Sequence, residues 1–256
     1  MNEHLPEIEQ LGLQAADCQR CALAERRTQV VWGDGPATAK VVFIGEAPGR
    51  KEDEGGRPFI GAAGHLLDEL LQSAHITRAD VYITNIVKCR PPGNRDPLDD
   101  EIVACRGYLN RQLQLLHPKV IVTLGRFSTH LILQTTESIS RLQGRVFERH
   151  GYKVLPLYHP AAAIYDLMKK EPLFAAAPIL DELVNGAPPA APGNTSVGGD
   201  ALGAPPAGSG NDTQQCVGGD ALGAPPAPAQ QDAPAPAAPA PQSPHFTQET
   251  LDIWNV

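Results

Sequence analysis

Short, unbroken apolar runs that stop at a turn constrain this chain more than any other feature. Lys40-Val41-Val42-Phe43-Ile44-Gly45 and Val120-Ile121-Val122-Thr123-Leu124-Gly125 end in glycine, and Val81-Tyr82-Ile83-Thr84-Asn85-Ile86-Val87 is a third run. A strand with one wet face alternates apolar and polar residues, whereas these runs suit strands covered on both faces. Between them lie helical patterns. Gly61 to Ser73 places Ala62, Leu66, Leu67, Leu70 and Leu71 at helical spacing. Pro97 and Asp99 open a helix to about Leu116, which His117-Pro118 stops, and Phe127 to Leu133 is a short one. Val146–His150 and Lys153–Leu157, joined at Gly151-Tyr152, read as paired strands, with short helices following to about Val184. This alternation predicts a three-layer α/β/α sandwich around a mainly parallel sheet. Ligands of such sheets bind beyond the carboxyl ends of the strands, so chemistry is expected after Ile44, after Ile83 and after Leu157.

Composition divides the chain at Gly186. From there to Val256 there is no Lys or Arg, and 13 of the 25 prolines and 10 of the 24 glycines fall in these 71 residues. VGGDALGAPPA occurs at Val197–Ala207 and again at Val217–Ala227. Such a string cannot bury a core, so residues 186–242 are expected to be a disordered Ala/Pro/Gly-rich linker. Residues 243–256 differ, because apolar side chains return there. Residues 1–185 are expected to form one catalytic domain, large enough for a single well-buried core.

The formal charge is −8, yet residues 88–170 carry 13 basic and 7 acidic side chains. That segregation permits a basic face for nucleic acid and equally an ordinary solvated surface. No apolar run is long enough to span a bilayer, and MNEHLPEIEQ lacks a signal-peptide core, so a cytoplasmic protein is expected. In a reducing compartment cysteines argue for metal or catalysis rather than disulfides. Cys18-x-x-Cys21, Cys89 and Cys105 make a set of four suited to zinc or to an iron–sulfur cluster. Spacing does not choose between them, and buried free thiols are the plain alternative. Cys216, in the repeat, reads as a free thiol.

Other residues are weak signals singly. Gly45-Glu46-Ala47-Pro48-Gly49 is a sharp turn able to expose its amides. Asn85 ends a buried strand, where its amide needs partners. Phe59 sits in a Gly-rich loop, and His159 opens His159-Pro160-Ala161-Ala162-Ala163 after the last strand. Together they place turn, aromatic, amide and imidazole at one sheet edge, as recognition of a flat polar ring requires.

GEAPG at 45–49, GRPFIG at 56–61, TNIVKCRPPGNR at 84–95, VTLG at 122–125 and HPAAA at 159–163 make the chain resemble family-4 uracil-DNA glycosylases, from about Cys18 to Leu183. The resemblance implies a monofunctional base-excision-repair enzyme. It would flip deoxyuridine out of DNA, hydrolyse the N-glycosidic bond and leave an abasic site. It also implies a [4Fe–4S] cluster on Cys18, Cys21, Cys89 and Cys105. The Gly45–Ala47 backbone would line the O2 side of uracil. Phe59 would stack on the base, Asn85 would read its edge, and His159 would stabilise the departing anion. Glu46 is the only acid in its motif and is open to two roles, assisting the water or holding the loop. Where better-known glycosylase families carry Asp and Tyr in this turn, this chain has Ala47 and Gly49, which leaves thymine exclusion unassigned. Ile164 is a candidate wedge for the vacated stack and equally a helix core residue. Relatives that capture uracil-DNA covalently carry a His-bearing insertion, and Arg50–Phe59, RKEDEGGRPF, has no His. A non-catalytic, metal-bound DNA- or nucleotide-binding protein is the alternative class.

The expected partner is uracil-containing DNA, met as a monomer in the cytoplasm at the nucleoid. Gln248, Leu251, Ile253 and Trp254 also resemble a sliding-clamp-binding peptide. A frayed terminus, or a segment folded back onto the catalytic domain, are the other readings.

Overall fold

In a computed structural model, residues 6–186 and Trp254 are described. The linker repeat, Cys216, Gln248, Leu251 and Ile253 lie outside the described residues. In chain order come α1 (Glu7–Ala16), β1 (Val41–Gly45), α2 (Arg50–Gly55), α3 (Ala62–Ser73), β2 (Tyr82–Asn85), α4 (Asp99–Leu116), β3 (Val120–Leu124) and α5 (Arg126–Leu133). Then follow α6 (Ile139–Leu142), β4 (Phe147–Arg149), β5 (Tyr152–Leu157), α7 (Pro160–Tyr165), α8 (Leu167–Ala175) and α9 (Ala177–Asn185). The strands form one sheet in the order β2-β1-β3-β5-β4, parallel except for β4.

The continuous apolar runs are explained by cover on both faces. Val42, Ile44, Ile121 and Val154 point into a core shared with α1, α4 and α5. Val41, Phe43, Val122 and Leu155 point into the opposite core, packed by α3, α8 and α9. Successive residues of a strand face opposite ways, so apolar side chains are needed at every position. Among the described residues no helix is long and apolar enough to cross a membrane.

Two details position the site. The chain runs from β1 to β2 on one side and then crosses to β3 on the other, which opens a crevice at the carboxyl ends. The second strand is also shorter than its apolar run. Past Asn85 the chain leaves the ladder, but the Ile86 and Val87 amides still donate to the carbonyls of Gly45 (3.0 Å) and Glu46 (3.2 Å). The run is apolar because it ties down the turn after β1 as well as building the sheet.

Candidate active site

The carboxyl ends of β1, β2 and β5 border a cavity of about 390 Å³, within the range of small-molecule sites. Its walls include Glu46, Ala47, Gly49, Glu52, Phe59, Asn85, Arg95 and His159. The structure therefore gathers the turn, the aromatic, the amide and the imidazole singled out in the sequence.

Asn85 is 1% exposed, and its Oδ1 has no hydrogen-bond partner among the described residues. A buried amide oxygen left unpaired costs about 1–3 kcal/mol, so it marks a place where a ligand's donor belongs. Gly45 lies beside Asn85 in the parallel register. A Cβ at Gly45 would come within 2.4 Å of Asn85 Oδ1 and 2.7 Å of the Phe59 ring. Glycine is required there because amide and aromatic close over the backbone.

Phe59 adopts a left-handed φ of 54°, strained for an aromatic residue. Its surroundings hold it. Arg78, paired with Asp68 at 2.6 Å, donates to the carbonyls of Pro58 and Phe59. Gly64 lets α3 pass, since a Cβ there would lie 1.8 Å from the Phe59 carbonyl oxygen. Glu52 accepts from the amides of Ile60 (3.0 Å) and Gly61 (2.9 Å). The Phe59 ring stacks on His159 with centroids 5.6 Å apart.

His159 caps α7, and its Nδ1 accepts from the Ala161 amide at 3.1 Å. A backbone N–H can only donate, so in the neutral ring the proton must sit on Nε2. Burial pushes the imidazole down to about 4, against a weaker opposite pull from Glu52, so the ring is neutral at pH 7. Burial pushes the Glu46 carboxyl up to about 7, Asp96 adds to this, and Arg126 opposes it.

Sequence reasoning missed Glu52. It lies on α2, a helix in a stretch that reads as loop, and it ends at left-handed Gly56. A Cβ at Gly49 would meet Glu52 Oε2 at 2.7 Å, so this carboxylate fills the space a larger residue 49 would take. Its legible signal is the pair of glycines, Gly49 and Gly61, that make room for one acid.

Ile164 is not in the core; it is 37% exposed on α7. The neighbouring Tyr165, Leu167 and Met168 are 91%, 78% and 82% exposed. The helical pattern hid these three, because apolar spacing alone does not say which face is wet.

Cys18, Cys21, Cys89 and Cys105 are all free and line one small cavity with Arg27, Lys88 and Tyr108. Burial pushes the Cys105 thiol up to about 12 and that of Cys89 to about 11. Among the described residues no three His, Cys, Asp or Glu side chains converge as for a single ion. Four thiols lining one cavity are a donor set of the kind that holds an iron–sulfur cluster or a zinc ion. Arg27 Nη1 points at Cys89 Sγ from 3.7 Å. Lys88 joins this cavity to the other site. It is 2% exposed and donates to Thr84 Oγ1, to the Asn85 carbonyl and to Gln112 Oε1 at 2.7, 2.7 and 2.6 Å.

The family model described as the uracil DNA glycosylase superfamily matches residues 32–181. The chain is 49% identical over 156 residues to the type-4 uracil-DNA glycosylase of Archaeoglobus fulgidus, covering 58% of this chain and 78% of the relative. It is 48% identical over 158 residues to that of Saccharolobus solfataricus, covering 58% and 73%. To that of Thermotoga maritima it is 44% identical over 146 residues, covering 56% and 76%.

Proposed function

The chain belongs to the uracil DNA glycosylase superfamily, in its type-4 branch, and from that premise we propose how its residues excise uracil. The protein is a uracil-DNA glycosylase of DNA repair, a hydrolase of the bond between uracil and deoxyribose. The observation that carries the residue assignment is the unpaired Asn85 Oδ1 beside the Phe59 ring.

Deoxyuridine enters flipped, because C1′–N1 is out of reach in the stack. Phe59 gives the base a flat face. Asn85 Oδ1 accepts from N3–H, and Nδ2 donates to O4. Cytosine offers an acceptor at N3 and a donor at the neighbouring position, so both groups of Asn85 would stay unpaired, a strong discrimination. As the glycosidic bond breaks, electrons flow onto the base and negative charge collects at O2. His159, neutral and with Nδ1 taken by the Ala161 amide, presents Nε2–H to that oxygen. The Gly45–Ala47 backbone lines the same side. Such preorganised donors act where charge develops, each worth about 3 kcal/mol. Glu46, when ionised, orients the attacking water and faces the sugar cation. Glu52, seated over Gly49, excludes the methyl of thymine. Ile164, Tyr165, Leu167 and Met168 form an apolar wedge that fills the gap left in the stack.

Cys18, Cys21, Cys89 and Cys105 would hold a [4Fe–4S] cluster, which when bound supplies ties between the N-terminal segment, the loop after β2 and α4. We also assign residues 243–256 to a sliding clamp, supported by the spacing of Gln248, Leu251, Ile253 and Trp254.

The test is single-turnover cleavage of a uracil-containing oligonucleotide, read as alkali-labile abasic sites. Asn85→Ala is expected to slow it by about 10²-fold or more. DNA affinity should change far less, since phosphate contacts dominate it. A near-wild-type rate for Asn85→Ala removes the pocket assignment.

A further inference from the structure

Trp254 lies far along the chain from Asn185, where α9 ends, yet its indole stacks on two side chains of the β4–β5 hairpin. The ring centroids are 4.7 Å from His150 and 5.4 Å from Tyr152, with interplanar angles of 29° and 24°. Both lie within the range of favourable aromatic pairs. Trp254 also packs on the core that holds Phe147, Tyr152 and Val154. The hairpin is built to present this surface. His150 and Gly151 have φ of 48° and 82°, the left-handed pair of a tight two-residue turn, which fixes the imidazole at the tip.

We infer that this hairpin is a docking site for the chain's own C-terminal segment, with Trp254 as its anchor. Charge supports the choice of occupant. The segment carries Glu249 and Asp252 and no Lys or Arg, while the hairpin and the start of β3 carry Arg149, Lys153 and Lys119 against Glu148. Arg149 Nε is buried and has no partner among the described residues. Chain length supports docking within one molecule. A random coil of as many residues as separate Asn185 from Trp254 would span roughly 45 Å root-mean-square, comparable to the width of a domain, which would set the local concentration of Trp254 at the hairpin at about millimolar order. That exceeds the concentration of a second copy at micromolar protein.

The docking is releasable. The indole N–H is buried and finds no partner among the described residues, so what these residues supply to the contact is ring stacking and buried area. It sits at the amino end of β5, whereas His159 follows the carboxyl end of the same strand. The uracil pocket therefore stays open while Trp254 is seated. Any other protein that uses Trp254 must first lift it from the hairpin.

The test uses the full chain and its fluorescence. The Trp254 signal is the difference between the wild type and Trp254→Phe, because Trp32 is the other tryptophan. In the wild type this signal is expected to resist acrylamide. Tyr152→Ser combined with His150→Ser should raise quenching severalfold and shift emission toward that of exposed indole, with the uracil excision rate within twofold of wild type. Trp254→Ala reads the contact from the other side, and should speed amide exchange at residues 147–153 even if the hairpin variant folds poorly. Equal quenching of Trp254 in wild type and hairpin variant, or unchanged exchange in Trp254→Ala, overturns the proposal. Protection that grows over a roughly hundredfold rise in protein concentration overturns it too, by making a second copy the occupant.

Discussion

The pocket at the carboxyl ends of the strands and the thiol cavity are finished to different degrees by the polypeptide. In the pocket Glu52, Phe59 and His159 are each held by hydrogen bonds to other residues. Glu52 is tied to two backbone amides, Phe59 by Arg78, and His159 by Ala161. Of the pocket's fully buried side-chain atoms, Asn85 Oδ1 has no partner among the described residues. In the thiol cavity four donors converge, burial pushes the thiols of Cys89 and Cys105 far above their ordinary values, and the Arg27 contact is long. A pocket satisfied by its own backbone is ready before substrate arrives. Thiols bind a metal only when ionised, and the burial of Cys89 and Cys105 works against that, so any metal bound here would have to offset it.

The sharpest way to break this contrast is to damage the thiol set. Cys105→Ser is expected to abolish iron binding and to lower folding stability by about 4 kcal/mol or more, the scale of losing a structural metal. Iron content of anaerobically prepared protein and its thermal midpoint check this. Unchanged iron and midpoint would show that the cavity is an ordinary cluster of core thiols. Cys216→Ser, outside the described residues, is expected to leave both unchanged.

His159→Ala should do the reverse. It is expected to lower the single-turnover rate by about 10²-fold, or about 3 kcal/mol, while iron content and thermal midpoint stay near wild type. Loss of iron in this variant would mean that the two regions are one cooperative unit, with Lys88 as the link. Lys88 offers a route for that coupling, because its three hydrogen bonds end on β2 and on α4.

Gly45→Ala asks a smaller question about the pocket alone. The added methyl would meet Asn85 Oδ1 and the Phe59 ring, both fixed, so the side chains must part. A rate loss of about tenfold with weaker discrimination against cytosine is expected, with iron unaffected. Equal discrimination in wild type and variant would show that Asn85 does not read the base edge.

What was legible in the sequence follows the same division. Strands covered on both faces announce themselves by unbroken apolar runs, so the sheet, its crevice and the position of Asn85 and His159 could be read directly. The four thiols were legible because cysteines are few. Glu52 was not, since its role comes from two glycines twelve residues apart that make space for it. Tyr165, Leu167 and Met168 were hidden because an exposed apolar face and a buried one share the same spacing. The seat of Trp254 depends on a contact about a hundred residues away in sequence, which no local pattern encodes.

The smallest effect concerns which acid in the pocket titrates. Burial and Asp96 push Glu46 up to about 7, so near neutral pH it is part carboxylic acid and part carboxylate. Only the carboxylate can orient water as an acceptor and face a sugar cation. The excision rate is therefore expected to climb by about tenfold per pH unit up to about 7 and then level off. His159 does not shape this limb, because it stays neutral until about 4. Glu46→Gln should flatten the profile at the acid-side rate. The sign for stability runs the other way. The folded value lies above the ordinary 4.5, so ionising Glu46 favours the unfolded chain, and folding stability falls as pH rises from about 4.5 through about 7. Glu46→Gln is thus expected to lose activity and to gain about 1 kcal/mol or more of stability at pH 8, measured by denaturant unfolding. A limb that survives in Glu46→Gln assigns the titration to another group and leaves Glu46 the task of holding the turn.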